Sequence, residues 1–208
     1  MFYFTKTPWW LRKLYSDCVW QIPTREKIIY LTFDDGPHPV ATPFVLDTLK
    51  QYNASATFFC IGKNVVSQPG LYNRILNEGH AVGNHTFNHL NGWQTNANDY
   101  LQDITEAKTF IHSHLFRPPY GRVTKKQLKL LTSDQQGFKP IMWSVLSGDF
   151  DITLSKENCL QQVLKETTNG AIVVFHDSEK ALGRMAYALP KILEYFAEKG
   201  YRFEKIQI

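Results

Sequence analysis

Short apolar runs alternate with stretches in which apolar residues recur every three or four positions, and the alternation fills the chain from residue 28 onward. Ile28-Ile29-Tyr30-Leu31, Ala56-Thr57-Phe58-Phe59-Cys60-Ile61 and Ala171 to Phe175 are runs of the kind that form buried strands. Shorter strands are predicted at His80 to Asn84, at Leu115-Phe116-Arg117, and as one stretch from Phe138 to Val145. Helices are predicted between them. Tyr100, Ile104, Ala107 and Ile111, spaced by 4, 3 and 4, line one helical face. Thr42-Pro43 reads as an N-cap followed by proline at the first helical position. Thr124 and Ser155 open further helices, Leu71, Ile75 and Leu76 mark another, and Ile192, Leu193 and Phe196 mark the last. Gly79, Gly137, Gly170 and Gly200 each follow a predicted helix and precede a strand, where a left-handed residue commonly closes the helix. Strand, helix, strand throughout implies an α/β chain with a parallel sheet. Roughly seven or eight such units favour a closed or nearly closed (β/α) barrel of the TIM type, with chemistry at the carboxyl ends of the strands.

Composition narrows the functional classes. At 208 residues and 43% hydrophobic, the chain is long enough for one domain with a large core. The net charge of +4 is scattered, with no dense basic block, so nucleic-acid binding gains no support. Cys18, Cys60 and Cys159 lack metal-finger spacing and read as small core residues. No apolar run is long enough to span a bilayer. Residues 1–24 stand apart from the main domain at 25–208 by their aromatics Phe2, Tyr3, Phe4, Trp9, Trp10 and Trp20. Lys6, Arg12 and Lys13 interrupt any signal-peptide core there, which leaves a cytoplasmic location as the default. These aromatics read as packing on the domain or plugging its open end; the alternative is an interfacial membrane anchor, since Trp beside Lys and Arg suits a headgroup layer. A monomer is expected.

Two stretches carry candidate chemistry. In Thr32-Phe33-Asp34-Asp35-Gly36-Pro37, two carboxylates stand side by side where the first strand must end at a Gly-Pro turn. Neighbouring carboxylates repel unless a cation lies close, so one Asp can serve as metal ligand while the other handles protons. In His85-Thr86-Phe87-Asn88-His89, the imidazoles are four apart and share a face if a helical turn begins there. Two His and one carboxylate suit Zn²⁺ with an open position for water.

With Arg117-Pro118-Pro119-Tyr120-Gly121 and Val174-Phe175-His176 added, the order and spacing of these motifs resemble the polysaccharide deacetylases, over roughly residues 25–205. That is the carbohydrate esterase family containing chitooligosaccharide, chitin, peptidoglycan and acetylxylan deacetylases. The resemblance implies a distorted (β/α) barrel and one divalent metal ion, zinc by default, with cobalt or nickel able to substitute. It implies an acetylated glycan as substrate and the loss of an N-acetyl group from an N-acetylglucosamine-containing chain. By position, Asp35, His85 and His89 match the metal ligands and Asp34 the general base. Arg117 matches the arginine that keeps the base ionised, Tyr120 the residue whose main-chain N–H helps hold the oxyanion, and His176 the general acid. The fourth motif departs: Leu146 stands where the family has an Asp and Phe150 where it has a Trp. Asp149 matches the second Asp, the partner of the acid. Trp143 and Val174 match apolar walls around the acetyl methyl. Three alternatives stay open: an O-acetyl esterase, a glycan-binding homologue with an impaired site, and a non-haem iron oxygenase, which also uses two His and one carboxylate.

Overall fold

The computed structural model describes residues 3–208; Phe2 lies outside the described residues. In chain order the elements are α1 (Trp9–Leu14), β1 (Ile28–Asp34), α2 (Ala41–Gln51), β2 (Thr57–Cys60), α3 (Gly62–Ser67), α4 (Pro69–Asn77), β3 (Ala81–Asn84), α5 (Ala97–Lys108) and β4 (Leu115–Phe116). There follow α6 (Lys125–Leu131), β5 (Lys139–Pro140), β6 (Val145–Leu146), α7 (Lys156–Glu166), β7 (Ile172–His176), α8 (Glu179–Glu198) and β8 (Arg202–Phe203). Seven strands pair in the order β5-β4-β3-β2-β1-β7-β6, all parallel, and β8 adds to the start of β1. This is the distorted, TIM-like barrel expected from the alternation. The four predicted helix-closing glycines all have positive φ, between 64° and 85°.

β1 is buried along its whole length, because it lies inside the sheet between β2 and β7 and is covered on both faces. Its alternation divides the molecule. Phe33 stacks between Phe58 and Phe175, at 5.1 and 6.1 Å, in the core under the helices that also takes in Leu46, Leu49, Met185, Leu189 and Ile192. Successive strand side chains point to opposite faces. Thr32 and Asp34 therefore face away from that core, and so do their register partners Val174 and His176 on β7.

Two local readings change. The predicted strand from Phe138 to Val145 is two short strands, because the chain crosses there from one edge of the sheet to the other. Lys139 and Ile141 donate to His114 and Phe116 beside β4, whereas Ser144 and Ser147 donate to Ile172 and Val174 of β7. The sheet thus closes through one crossing of chain rather than through paired edges. Thr42 is not the cap of α2, which begins at Ala41. Its hydroxyl instead accepts from the His38 N–H and donates to Asp177.

The N-terminal segment lies along the closing stretch. Thr7 donates to the Ser144 carbonyl, Leu146 to Thr5, Val19 to Pro140 and Met142 to Val19. Trp20 and Cys18 are buried, whereas Trp9 is 75% and Trp10 48% exposed. No helix among the described residues is long and apolar enough to cross a membrane.

Candidate active site

The site stands at the carboxyl end of β1, where the barrel geometry places reactive groups. Asp34 is the last residue of the strand, and Asp35 turns left-handed at φ 78°. That reversal sends two adjacent carboxylates to different partners. Asp34 takes Arg117, whose Nη1 lies 2.7 Å from Asp34 Oδ1 and 2.7 Å from Thr32 Oγ1. Arg117 is fully buried and spends its remaining donors on main chain: Nε on the Ile141 carbonyl and Nη2 on that of Met142, both at 3.0 Å. Its guanidinium lies 4.0 Å from the centre of the Phe59 ring. Burial pulls this guanidinium below its ordinary range, and Asp34 pushes back. One side chain therefore ties the end of β1 to the crossing stretch.

Asp35 faces the histidines. Its Oδ1 is 3.2 Å from His89 Nε2 and 3.6 Å from His85 Nε2, and one ligand atom from each residue falls within 4.8 Å of the others. Oδ1 is buried and has no hydrogen-bond partner among the described residues. Burial opposes the charge on Asp35, yet the two imidazoles beside it outweigh burial and hold its carboxyl well below the usual range. His85 Nδ1 is 2.8 Å from the Arg117 carbonyl, which can only accept, so Nδ1 carries the proton and Nε2 keeps its lone pair. An orphaned carboxylate oxygen beside the His85 lone pair and the His89 imidazole fits a divalent ion, and this set suits zinc.

The two His do not share a helical turn, contrary to the expectation from their spacing. Residues 85–89 form a loop in which Thr86 and His89 are left-handed, at φ 63° and 59°. Asp103 on α5 holds this loop, accepting from the Phe87 and Asn88 N–H groups and from the Asn88 side chain at 2.7–3.0 Å. Sequence reading missed Asp103. Its signal was an acid at 103, on the same helical face as Tyr100, Ile104 and Ala107, where only a partnered carboxylate is tolerated. Asp177, just beyond the end of β7, holds the turn after β1. It is fully buried, accepts from the Gly36 N–H and the Thr42 hydroxyl, and burial raises its carboxyl to about 8. A Cβ on Gly36 would fall 2.0 Å from Asp177 Oδ2, so only glycine admits this contact. Asn64 Nδ2 donates to the Asp35 carbonyl at 2.7 Å, a third support that spacing could not reveal.

His176 ends β7 directly opposite Asp34 in register. Both oxygens of the buried Asp149 are taken by it: Oδ1 lies 2.7 Å from Nδ1, and Oδ2 accepts the His176 main-chain N–H at 2.7 Å. Burial alone would lower the imidazole, but Asp149, with help from Asp35 and Asp34, raises it to about 10. Arg184 Nε donates to the Asp149 carbonyl at 2.6 Å, a second hold on the departed motif, in which the buried Leu146 has no polar group to offer. Tyr120 is left-handed at φ 61°, and its ring packs 4.6 Å from that of His89. Trp143 lies 5.9 Å from the Arg117 guanidinium, and a Cβ on Gly121 would fall 2.6 Å from its ring. Val174 is buried on the Thr32 face of the sheet. His80 is structural, accepting from the Ala56 N–H.

A curled parallel β/α sheet carrying a His-His-Asp cluster of metal-ligand type, with a paired carboxylate and a paired imidazole beside it, defines a barrel hydrolase. The comparisons make it particular. The family model described as polysaccharide deacetylase matches residues 21–138, and the chain belongs to that family of deacetylases. A peptidoglycan-N-acetylglucosamine deacetylase of Bacillus cereus is 40% identical over 190 residues, 88% of each chain. A chitooligosaccharide deacetylase of Azorhizobium caulinodans is 33% identical over 165 residues, 76% of this chain and 77% of that one. A crystal structure of a peptidoglycan N-acetylglucosamine deacetylase with a bound N-hydroxybenzamide has a TM-score of 0.87 at 33% identity, covering 96% of this chain and 95% of the other.

Proposed function

We propose that this chain removes the N-acetyl group from N-acetylglucosamine residues of a peptidoglycan- or chitooligosaccharide-type glycan, releasing acetate and leaving a free amine. One observation carries the reading: Asp34 and His176 stand opposite each other in register beside the Asp35, His85 and His89 cluster, and each has its own buried partner. Asp35, His85 and His89 would hold the divalent ion, zinc before cobalt or nickel. When bound, the ion supplies Lewis acidity and makes water nucleophilic near neutral pH. Asp34 takes the proton of the attacking water, and Arg117 keeps Asp34 aimed. His176 gives its Nε2 proton to the departing nitrogen, because Nδ1 is committed to Asp149 and an amide anion leaves poorly without a proton. The Tyr120 main-chain N–H helps hold the oxyanion. Trp143 and Val174 wall the acetyl methyl.

Acetate release from acetylated chitooligosaccharides, peptidoglycan and acetylxylan tests the substrate. Turnover on the two N-acetylated glycans is expected; turnover on acetylxylan alone would replace this reading with an O-acetyl esterase. Activity without reductant or 2-oxo acid excludes the oxygenase alternative.

His85→Ala and His89→Ala are each expected to lose the ion by elemental analysis while keeping the wild-type circular dichroism spectrum. Full occupancy in both would dismiss the ligand set.

The pH profile follows from His176. Its raised value keeps it protonated, and so able to donate, through neutral pH; the basic limb of kcat/KM should lie above the ordinary imidazole range. Asp149→Asn removes the anion that favours the charged ring, so that limb should move to lower pH while the acid limb stays in place. A basic limb that does not move in this variant would remove His176 from the role of acid.

A further inference from the structure

The departed fourth motif has a partner that lies far from it in sequence. Phe150 packs edge-on against the His176 ring, with centroids 5.2 Å apart, and Tyr3 also packs on Phe150, tilted by 58° at 5.2 Å. The Tyr3 hydroxyl donates to Asp151 Oδ2 at 3.1 Å and approaches Gly148 so closely that a Cβ there would fall 2.9 Å from it. The next residues of the same segment pair with main chain just before the motif. Leu146 donates to the Thr5 carbonyl at 2.8 Å, Thr7 N–H to Ser144 at 3.1 Å, and Thr7 Oγ1 to the Trp143 carbonyl at 2.7 Å. Residues 3–7 therefore grip the stretch 143–151 at both ends, and between those grips lies Asp149.

We propose that residues 3–7 form a positioning strap for the acid side of the site: through the Tyr3–Phe150 ring pair they keep Asp149 and His176 in the geometry for proton donation. This rests on the reading of His176 as general acid. Gly148 is left-handed at φ 74°, and its missing Cβ leaves room for the Tyr3 hydroxyl against the turn leading into Asp149. One aromatic side chain smaller than tryptophan stands at position 150, and Tyr3 supplies a second ring against it. Tyr3 touches neither the ligand cluster nor the acid, so its effect must pass through Phe150 and the 148–151 backbone. Loosening that backbone lets the imidazole swing while the metal ligands, on β1 and the 85–89 loop, stay where they are.

Tyr3→Ala, Tyr3→Phe and Phe150→Leu in the full chain test this by two routes. The first is independent of turnover: the His176 Nδ1 proton, buried in its bond to Asp149, should give a slowly exchanging downfield proton resonance in the wild type. It should exchange faster or vanish in Tyr3→Ala and Phe150→Leu, and persist in Tyr3→Phe, which keeps the ring. The second is kinetic. Tyr3→Ala should lower kcat on an N-acetylated chitooligosaccharide about tenfold, a fraction of the ~10²–10⁴ that a positioned acid supplies. KM and metal content should be unchanged, and an activated aryl acetate, whose leaving group needs no proton, should be hydrolysed at close to the wild-type rate. Tyr3→Phe should recover most of the loss. An unaltered downfield proton in both Tyr3→Ala and Phe150→Leu overturns the strap, and so does an equal loss on amide and activated ester. A wild type that hydrolyses no acetylated glycan would sink the functional reading and leave the resonance to decide the strap.

Discussion

Asp34→Asn is expected to keep its metal and lose turnover by at least the ~10²–10⁴ that a positioned base supplies. The substitution is nearly isosteric and leaves Asp35, His85 and His89 untouched, so elemental analysis should find the ion at wild-type occupancy. What changes is the one group beside the ligand cluster whose own partners leave it free to take a proton. Asp35 faces the two imidazoles, Asp149 spends both oxygens on His176, and Asp177 is buried against Gly36 and Thr42. No neighbouring carboxylate can replace Asp34. The amide also leaves the buried Arg117 without its counter-ion, so a lower melting temperature should accompany the loss. Measured acetate release within about tenfold of wild type, at full metal occupancy, would show that another group is the base.

Arg117→Ala is expected to have the largest effect on stability. Four acceptors lose their donor at once: Asp34, the Thr32 hydroxyl, and the carbonyls of Ile141 and Met142. Breaking a buried pair by removing one partner costs about 3–5 kcal/mol, because the remaining charge stays out of water. A folded domain has a margin of about 5–15 kcal/mol, so the variant should fold at room temperature but unfold at markedly lower urea concentration. Activity should fall as well, since Asp34 loses its orientation and the crossing stretch loses its tie to β1. Arg117→Lys should recover little, because a point-like ammonium cannot reach two main-chain carbonyls and a carboxylate together as a planar fork does. A urea midpoint within error of wild type for Arg117→Ala would mean that the pair contributes nothing to the fold.

The placement of Asp177 and Asp103 bears on how the family motifs work in this chain. Neither belongs to the Asp35, His85 and His89 cluster, yet each takes up the main-chain N–H groups of a loop that carries members of it: Gly36 beside Asp35, and Phe87 with Asn88 between the two His. Loops of this kind, with left-handed residues at Asp35, Thr86 and His89, are held by such acceptors rather than by helix or sheet ladders. The geometry of the cluster is thus set by residues outside the motifs that carry it.

The strand–helix alternation, the parallel sheet, the glycine helix ends and the candidate site residues were all legible in the sequence. Those features depend on local periodicity, on φ-permissive residues and on side-chain chemistry, all of which are written within a few positions of one another. Tertiary structure alone decided how they meet. The four-residue spacing of His85 and His89 suggested a helical face, but their convergence on Asp35 comes from a loop braced by Asp103. The run from Phe138 to Val145 had strand composition throughout, yet it splits because it must pass between the two edges of a closing sheet. Tyr3 was one aromatic among several, and only the path of the N-terminal segment along 143–146 brings it to Phe150 and so to His176. The physical reason is the same in each case. Pairing energy between residues tens to more than a hundred positions apart depends on where the sheet brings them, and no local pattern of apolar and polar residues encodes that distance.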